Sequence, residues 1–188
     1  SFDKFTLIHS GVITGTRNLA YLFSALKRLI SSNEGAAGNI EFIVIGNIPR
    51  SQKKEISRHS LWDVVTNVDY MEREKYVETL VKAHLPVVVN FTDPALVPGK
   101  LYEYWGSRNK MLLLDTVDSA AGELVTTYQL GDVVGPDDEE AIYQSLSRSY
   151  DAWLSGELEQ NDVSGLGDFD RKFLTGKLED AFAEVAND

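Results

Sequence analysis

The sequence contains no cysteine. No disulfide can staple the chain and no thiolate chemistry can run on it, which fits a reducing compartment such as the cytoplasm. No apolar run approaches the roughly 20 residues that a membrane-spanning helix needs. The opening Ser1-Phe2-Asp3-Lys4 lacks the basic-then-apolar character of a secretion signal. Positive charge is scarce as well: 18 Lys and Arg stand against 29 Asp and Glu, a formal net charge of -11. Nothing in bulk offsets repulsion from a phosphate backbone, so nonspecific nucleic-acid binding is excluded. A local cationic pocket for one diphosphate is still compatible with that balance.

Several motifs are also missing. There is no GxGxxG and no Gly-Lys-Ser/Thr ending, which rules out dinucleotide and P-loop readings. No Gly-x-Ser-x-Gly elbow exists, against an α/β-hydrolase. No His/Asp/Glu cluster has metal-ligand spacing, so no metal and no cofactor is expected. Paired acids after the first strand, which a phospho-acceptor domain would want, are replaced by His9-Ser10. No internal repeat or low-complexity tract appears.

What is present is 188 residues, enough for one domain with a sizeable core. Short apolar runs alternate with amphipathic stretches. Strands are expected at Phe5 to His9, Ile40 to Ile45, from Val64-Val65, at Pro86 to Phe91, Met111 to Leu114 and Asp132 to Val134. Helices are expected over Asn18 to Ile30, Gln52 to Arg58, Glu72 to His84, Leu101 to Gly106, Ser119 to Tyr128 and Glu139 to Leu154. In the first helix Leu19, Leu22, Phe23, Leu26, Leu29 and Ile30 share one face, the spacing of a 3.6-residue period. The acidic run Asp137 to Glu140 suits a helix N-terminus. Six such alternations predict a Rossmann-like three-layer α/β/α domain with a mainly parallel sheet of about six strands over residues 1–155. Residues 156–168 are acidic, polar and glycine-bearing, and read as a linker. A final helix over 169–188 either docks on its own sheet or reaches towards another domain. Ser1 leads almost directly into the first strand, so an N-terminal domain is expected upstream. His9, ending a buried strand, is expected to be neutral and hydrogen-bonded; His59 and His84, at helix ends, are expected to be solvated. Trp62, Trp105 and Trp153 are expected to pack.

Ligands of such a sheet bind at the carboxyl ends of its strands. Two segments there carry charge. In Gly11-Val12-Ile13-Thr14-Gly15-Thr16-Arg17, the glycines allow close backbone approach, and Arg17 places a cation at a helix start, where it is unfavourable unless an anion binds. An ordinary glycine turn with a solvated arginine fits the same residues. In Asp93-Pro94-Ala95-Leu96-Val97-Pro98-Gly99-Lys100-Leu101-Tyr102-Glu103, the Lys100 and Glu103 side chains lie three apart on one helical face. Lys100 can meet phosphate oxygens and Glu103 can accept from two ribose hydroxyls. A surface ion pair between the two is the alternative.

VPGKLYEYWGSRNKMLLL resembles the segment with Lys, Glu and Tyr of family-4-like glycosyltransferases of GT-B fold, and HSGVITGTRNLAYLFSAL resembles their first-strand segment. With FIVIG and VDYMEREKYVETLVKAHLPVVV the similarity runs in consistent order over residues 5 to 150. The resemblance is to the C-terminal domain, which grips a nucleoside-diphosphate sugar. It implies that Gly11, Arg17 and Lys100 face the donor diphosphate, that Glu103 holds the ribose, and that the backbone of Val68, Asp69, Tyr70 and Met71 meets the base. It also implies a hexosyltransferase-like enzyme of polysaccharide or glycolipid synthesis that is cytoplasmic, at the inner face of the membrane where an N-terminal domain associates with it peripherally. A GT-B-like nucleotide-sugar epimerase and a non-catalytic α/β binding or regulatory domain are the alternatives. The sequence departs from the family twice. Val12 stands where many members have Arg, and Ala95 falls where the first carboxylate of Glu-x7-Glu would touch the sugar, leaving Asp93 two positions earlier as the substitute. No general base is assigned.

Overall fold

A computed structural model describes residues 1–13, 19–90 and 93–177. Six parallel strands form one sheet in the order β3-β2-β1-β4-β5-β6. They are β1 (Phe5–Ser10), β2 (Ile40–Ile45), β3 (Val65–Val68), β4 (Leu85–Val89), β5 (Met111–Leu114) and β6 (Gly131–Val134). The helices between them are α1 (Ala20–Ser32), a short α2 (Ala36–Asn39), α3 (Arg50–Arg58), α4 (Arg73–Lys82), α5 (Gly99–Gly106) and α6 (Ala120–Thr127), and α7 (Glu139–Ser155) follows the last strand. This is the doubly wound order of a Rossmann-like unit, which reverses between β1 and β4 and opens a crevice at their carboxyl ends.

The four inner strands are largely buried on both faces because both faces are covered, while the edge strands β3 and β6 are partly exposed. Successive side chains point to opposite sides. Leu7, Phe42, Val44, Val87, Leu112 and Leu114 join one core with Leu22, Phe23 and Leu26 of α1 and Ile142, Leu146 and Tyr150 of α7. Ile8, Ile43, Val88 and Leu113 join the other with Leu80 of α4, Leu101, Tyr104 and Trp105 of α5, and Val125 of α6. Helix α7 starts at Asp138, whose carboxylate accepts from the Ala141 amide, with Glu139 and Glu140 in the first turn against the positive end of the dipole. The single turn of α2 has no counterpart in the apolar periodicity, since Ala36-Ala37-Gly38-Asn39 offers no apolar face.

Three expectations change, one of them at Trp62, which is 44% exposed rather than packed. Residues 156–168 are not a loose connection. The main chain at Gln160 bridges Asn109, the Asn161 side-chain amide donates to the Asn109 and Leu130 carbonyls, and Trp105 Nε1 donates to the Asp162 carbonyl at 2.6 Å. A 3-10 turn at Ser164–Phe169 then seats Phe169 against Tyr102, Trp105 and Tyr128. Polar composition predicts a linker only when its polar groups have no partners on the domain, and these do. Beyond it, residues 171–177 are helical with Phe173 and Leu174 about half exposed. The rest of the expected final helix lies outside the described residues. Among the described residues no helix is long and apolar enough to cross a membrane.

The third change is His84, which is buried rather than solvated. The Thr6 amide donates to its Nδ1 at 3.0 Å, and its ring stacks on Phe5 and meets the edge of Trp153. Accepting that bond requires the neutral ring, and burial pushes its pKa below the usual 6.5. As pH falls, the unfolded chain takes up this proton first, so its contribution to stability is intact above about pH 6.5 and is lost below it towards the folded pKa. Unfolding by urea at pH 7.5 and pH 5.5 should show the loss, at most about 1.4 kcal/mol per pH unit for one proton. His84→Asn, which keeps an acceptor but cannot titrate, should show a smaller loss over that interval.

Candidate functional site

The crevice is built from strand ends that hydrogen-bond past the sheet. Gly11 N–H donates to the Ile45 carbonyl and Gly46 N–H to the Val68 carbonyl, both at 2.8 Å. Gly11 has φ +124° and Gly46 φ +125°, a region in which side chains are strained. The two glycines lie against each other: a methyl group on Gly46 would meet the Gly11 carbonyl oxygen at 2.5 Å. On Gly11 a methyl group would collide with Lys100 Nζ. The ammonium of Lys100, in the first turn of α5, therefore lies directly over the loop that leaves β1. Two residues 89 positions apart, taken from the sequence as the diphosphate loop and its cation, meet at the switch point.

Glu103 stands one turn further along α5, already engaged. Arg73 Nη1 donates to its Oε1 at 2.7 Å and the Tyr76 hydroxyl to its Oε2 at 2.9 Å. The alternative of a Lys100–Glu103 surface pair is thus replaced by an Arg73–Glu103 pair. Behind Tyr76 the bonding has one consistent direction. An ionised carboxylate only accepts, so the Tyr76 oxygen is left to accept from the Ser10 hydroxyl at 3.2 Å. Ser10 Oγ accepts from the Tyr104 hydroxyl at 3.1 Å, and the Tyr104 oxygen accepts from the Ser10 amide at 2.8 Å. Every donor is used and the chain ends on Glu103. Burial pushes the Tyr104 hydroxyl up to about 12, and burial likewise raises that of Tyr76. Both stay protonated donors at neutral pH.

The other predicted residues occupy the rim. The Val68 carbonyl is taken by Gly46, Val68 and Met71 pack beneath, Asp69 is exposed, and Tyr70 is 79% exposed. Asp93 is exposed, and its Oδ1 accepts from the Ala95 amide at 2.9 Å, so its carboxylate shapes the turn after β4. Arg17 lies outside the described residues. His9 is buried, with Nδ1 donating to the Val87 carbonyl at 3.0 Å. Among the described residues no group of three or more His, Cys, Asp or Glu could hold a metal ion. A groove of about 640 Å³ opens beside Glu103, lined by Tyr102, Arg108, Leu166 and Phe169. A second, of about 620 Å³, lies away from the crevice between α6 and α7, where Lys110 and Arg148 are already paired with Glu159 and Asp132.

Sequence reasoning missed Arg73, Ser10, Tyr76 and Tyr104 as parts of the site. The signal was there in part. Two tyrosines on inward helix faces must each find a partner for a buried hydroxyl.

No protein-family model and no curated protein matches this sequence. Solved structures do. A UDP-forming α,α-trehalose-phosphate synthase from Burkholderia vietnamiensis aligns with TM-score 0.70 at 13% identity, over 98% of this chain and 46% of that one. WaaG, a glycosyltransferase involved in lipopolysaccharide biosynthesis, aligns with TM-score 0.66 at 16% identity, over 84% and 40%. A putative UDP-N-acetylglucosamine 2-epimerase from Listeria monocytogenes aligns with TM-score 0.61 at 13% identity, over 82% and 38%. At these identities the likeness establishes the fold alone. The chain has the Rossmann-like fold found in GT-B glycosyltransferases, and it spans less than half the length of these structures.

Proposed function

We propose that this domain is the donor half of a glycosyltransferase and binds a nucleoside-diphosphate sugar for transfer to an acceptor. The observation that carries the reading is the Lys100 ammonium over Gly11 with Glu103 one turn away, all at the switch point of the sheet. Above the loop at Gly11, Lys100 and Arg17 neutralise the diphosphate, which stabilises it as a leaving group. Glu103 accepts from the ribose hydroxyls. Backbone groups of Val68, Asp69, Tyr70 and Met71 face the base, and Asp93 stands in for the carboxylate that Ala95 lacks at the sugar. In this reading the acceptor sits on an N-terminal domain of the same polypeptide, the working cleft lies between the two, and the setting is polysaccharide or glycolipid synthesis at the cytoplasmic side of a membrane, as the family resemblance implies. Neither metal nor cofactor enters.

The chain alone should bind nucleotide and transfer no measurable sugar. A thermal-shift panel of UDP, GDP, dTDP and ADP tests the first part. Ligand at a hundred times its Kd stabilises by about 2.7 kcal/mol, a rise of several degrees. No shift with any of them at millimolar concentration would sink the reading in favour of a non-catalytic binding domain. The likeness to the Listeria protein keeps an epimerase as the second reading. Interconversion of a nucleotide sugar by the full polypeptide, without an acceptor, would decide for it.

A further inference from the structure

We propose that Tyr76 and Arg73 are positioning residues that set the Glu103 carboxylate to recognise a vicinal diol, so that the site prefers ribonucleotides over their 2′-deoxy counterparts. The inference rests on the placement of ribose at Glu103 proposed above. A carboxylate offers about four acceptor positions. Here each oxygen takes one donor from the protein: Arg73 on Oε1 and Tyr76 on Oε2. Each oxygen keeps capacity for another, and the side chain is 36% exposed, so the remaining capacity is open to a ligand. Two hydroxyls on adjacent carbons suit two adjacent oxygens.

The geometry gives the orientation two anchors of different kinds. Arg73 and Tyr76 lie three apart on the first turn of α4 and grip the carboxylate from one side. Arg73 is mostly exposed and holds by charge. Tyr76 is buried and holds through the chain of hydroxyls that runs back to the Ser10 amide. Ser10 immediately precedes Gly11, so the group that reads the diol is tied to the loop beneath Lys100. A glutamate at the end of a mobile stem would lose rotamer freedom on binding, and one fixed at both oxygens has lost it already.

A purely structural role, pinning α4 to α5, would leave the ribose preference untouched. The test is therefore titration calorimetry of this chain with UDP, GDP and ADP, each beside its 2′-deoxy form. For the base that binds, the ribonucleotide should be tighter by roughly tenfold, the worth of a hydrogen bond to a charged group. Tyr76→Phe and Arg73→Met should each cut the ratio to roughly threefold or less, weakening the ribonucleotide more than the deoxynucleotide, which keeps only its 3′-hydroxyl for Glu103. A cooperative thermal unfolding transition reports that the variants are folded, and the exposed Arg73 guards against a Tyr76 variant that is not. Glu103→Gln should erase the ratio. If Glu103→Gln erases it while both positioning variants keep it, the inference is overturned and the donor reading stands. Tighter ribonucleotide binding by Arg73→Met would also overturn it, since Arg73 would then compete with the ligand. If Glu103→Gln keeps the ratio, or no nucleotide binds, the donor reading itself falls and the inference with it.

Discussion

Gly46→Ala is expected to lower the melting temperature by about 10 °C, from a destabilisation of about 3 kcal/mol at a domain of this size. Two costs combine. The backbone at φ +125° is one that a side chain occupies only under strain. The added methyl would also lie 2.5 Å from the Gly11 carbonyl oxygen and 3.0 Å from its carbon. Both are backbone atoms, and Gly11 is held by its own bond to Ile45, so nothing nearby can yield without disturbing the sheet. Gly35→Ala separates the costs. Gly35 has φ +81° with nothing within 4 Å of a built methyl group, so that variant should lose only the conformational part, about 1 kcal/mol. Differential scanning calorimetry of the two variants and the parent compares them directly. Equal losses would show that the contact between the two strand-end loops relaxes at no cost. Because the loop after β1 is the floor under Lys100, Gly46→Ala should also weaken nucleotide binding, and Gly35→Ala should not.

That two loops 35 residues apart share one glycine contact was not legible in the sequence, although both glycines were. The pattern of strands was legible because burial on both faces leaves near-continuous apolar runs such as Phe42-Ile43-Val44-Ile45, and these stand out without knowledge of their neighbours. Helix faces were legible for a similar reason, since the 3.6-residue period is local. Gly11 and Lys100 were legible as a pair only because strand ends of a parallel sheet converge on one edge. The hydroxyl chain was not. Its contacts join residues 94, 66 and 27 positions apart, and serine and tyrosine carry no period that marks them. His84 was misread from its place at a helix end, because the acceptor it offers is used by an amide of β1, a neighbour in space only. The docked strap was misread from composition, which counts polar groups but not their partners.

Lys100→Met is expected to weaken binding of the nucleoside diphosphate roughly 10- to 100-fold while leaving the folded domain intact, as befits one charge-assisted contact to phosphate of about 1.5–3 kcal/mol. Methionine keeps an unbranched stem of similar length and removes the charge. Gly11→Ala should produce much of the same loss with the lysine still present, because its methyl would stand where Lys100 Nζ now lies and push the ammonium off the loop, and it should also lower the melting temperature because the backbone there has φ +124°. The two substitutions act on one contact, so the double variant should bind little worse than Lys100→Met alone, a coupling that two independent contacts would not show. Calorimetric titration of the parent, the two single variants and the double variant closes that cycle. Nucleoside monophosphates supply the control. If Lys100 meets the diphosphate, its removal should cost less with the monophosphate, whose outer phosphate is missing. Equal losses for both ligands would place Lys100 elsewhere on the nucleotide, and no loss for either would remove it from the site and leave its position over Gly11 a matter of packing. Arg17, whose place in the same diphosphate site rests on the sequence pattern, enters as the comparison: an Arg17→Met loss that adds fully to that of Lys100→Met would mark two separate contacts on one anion.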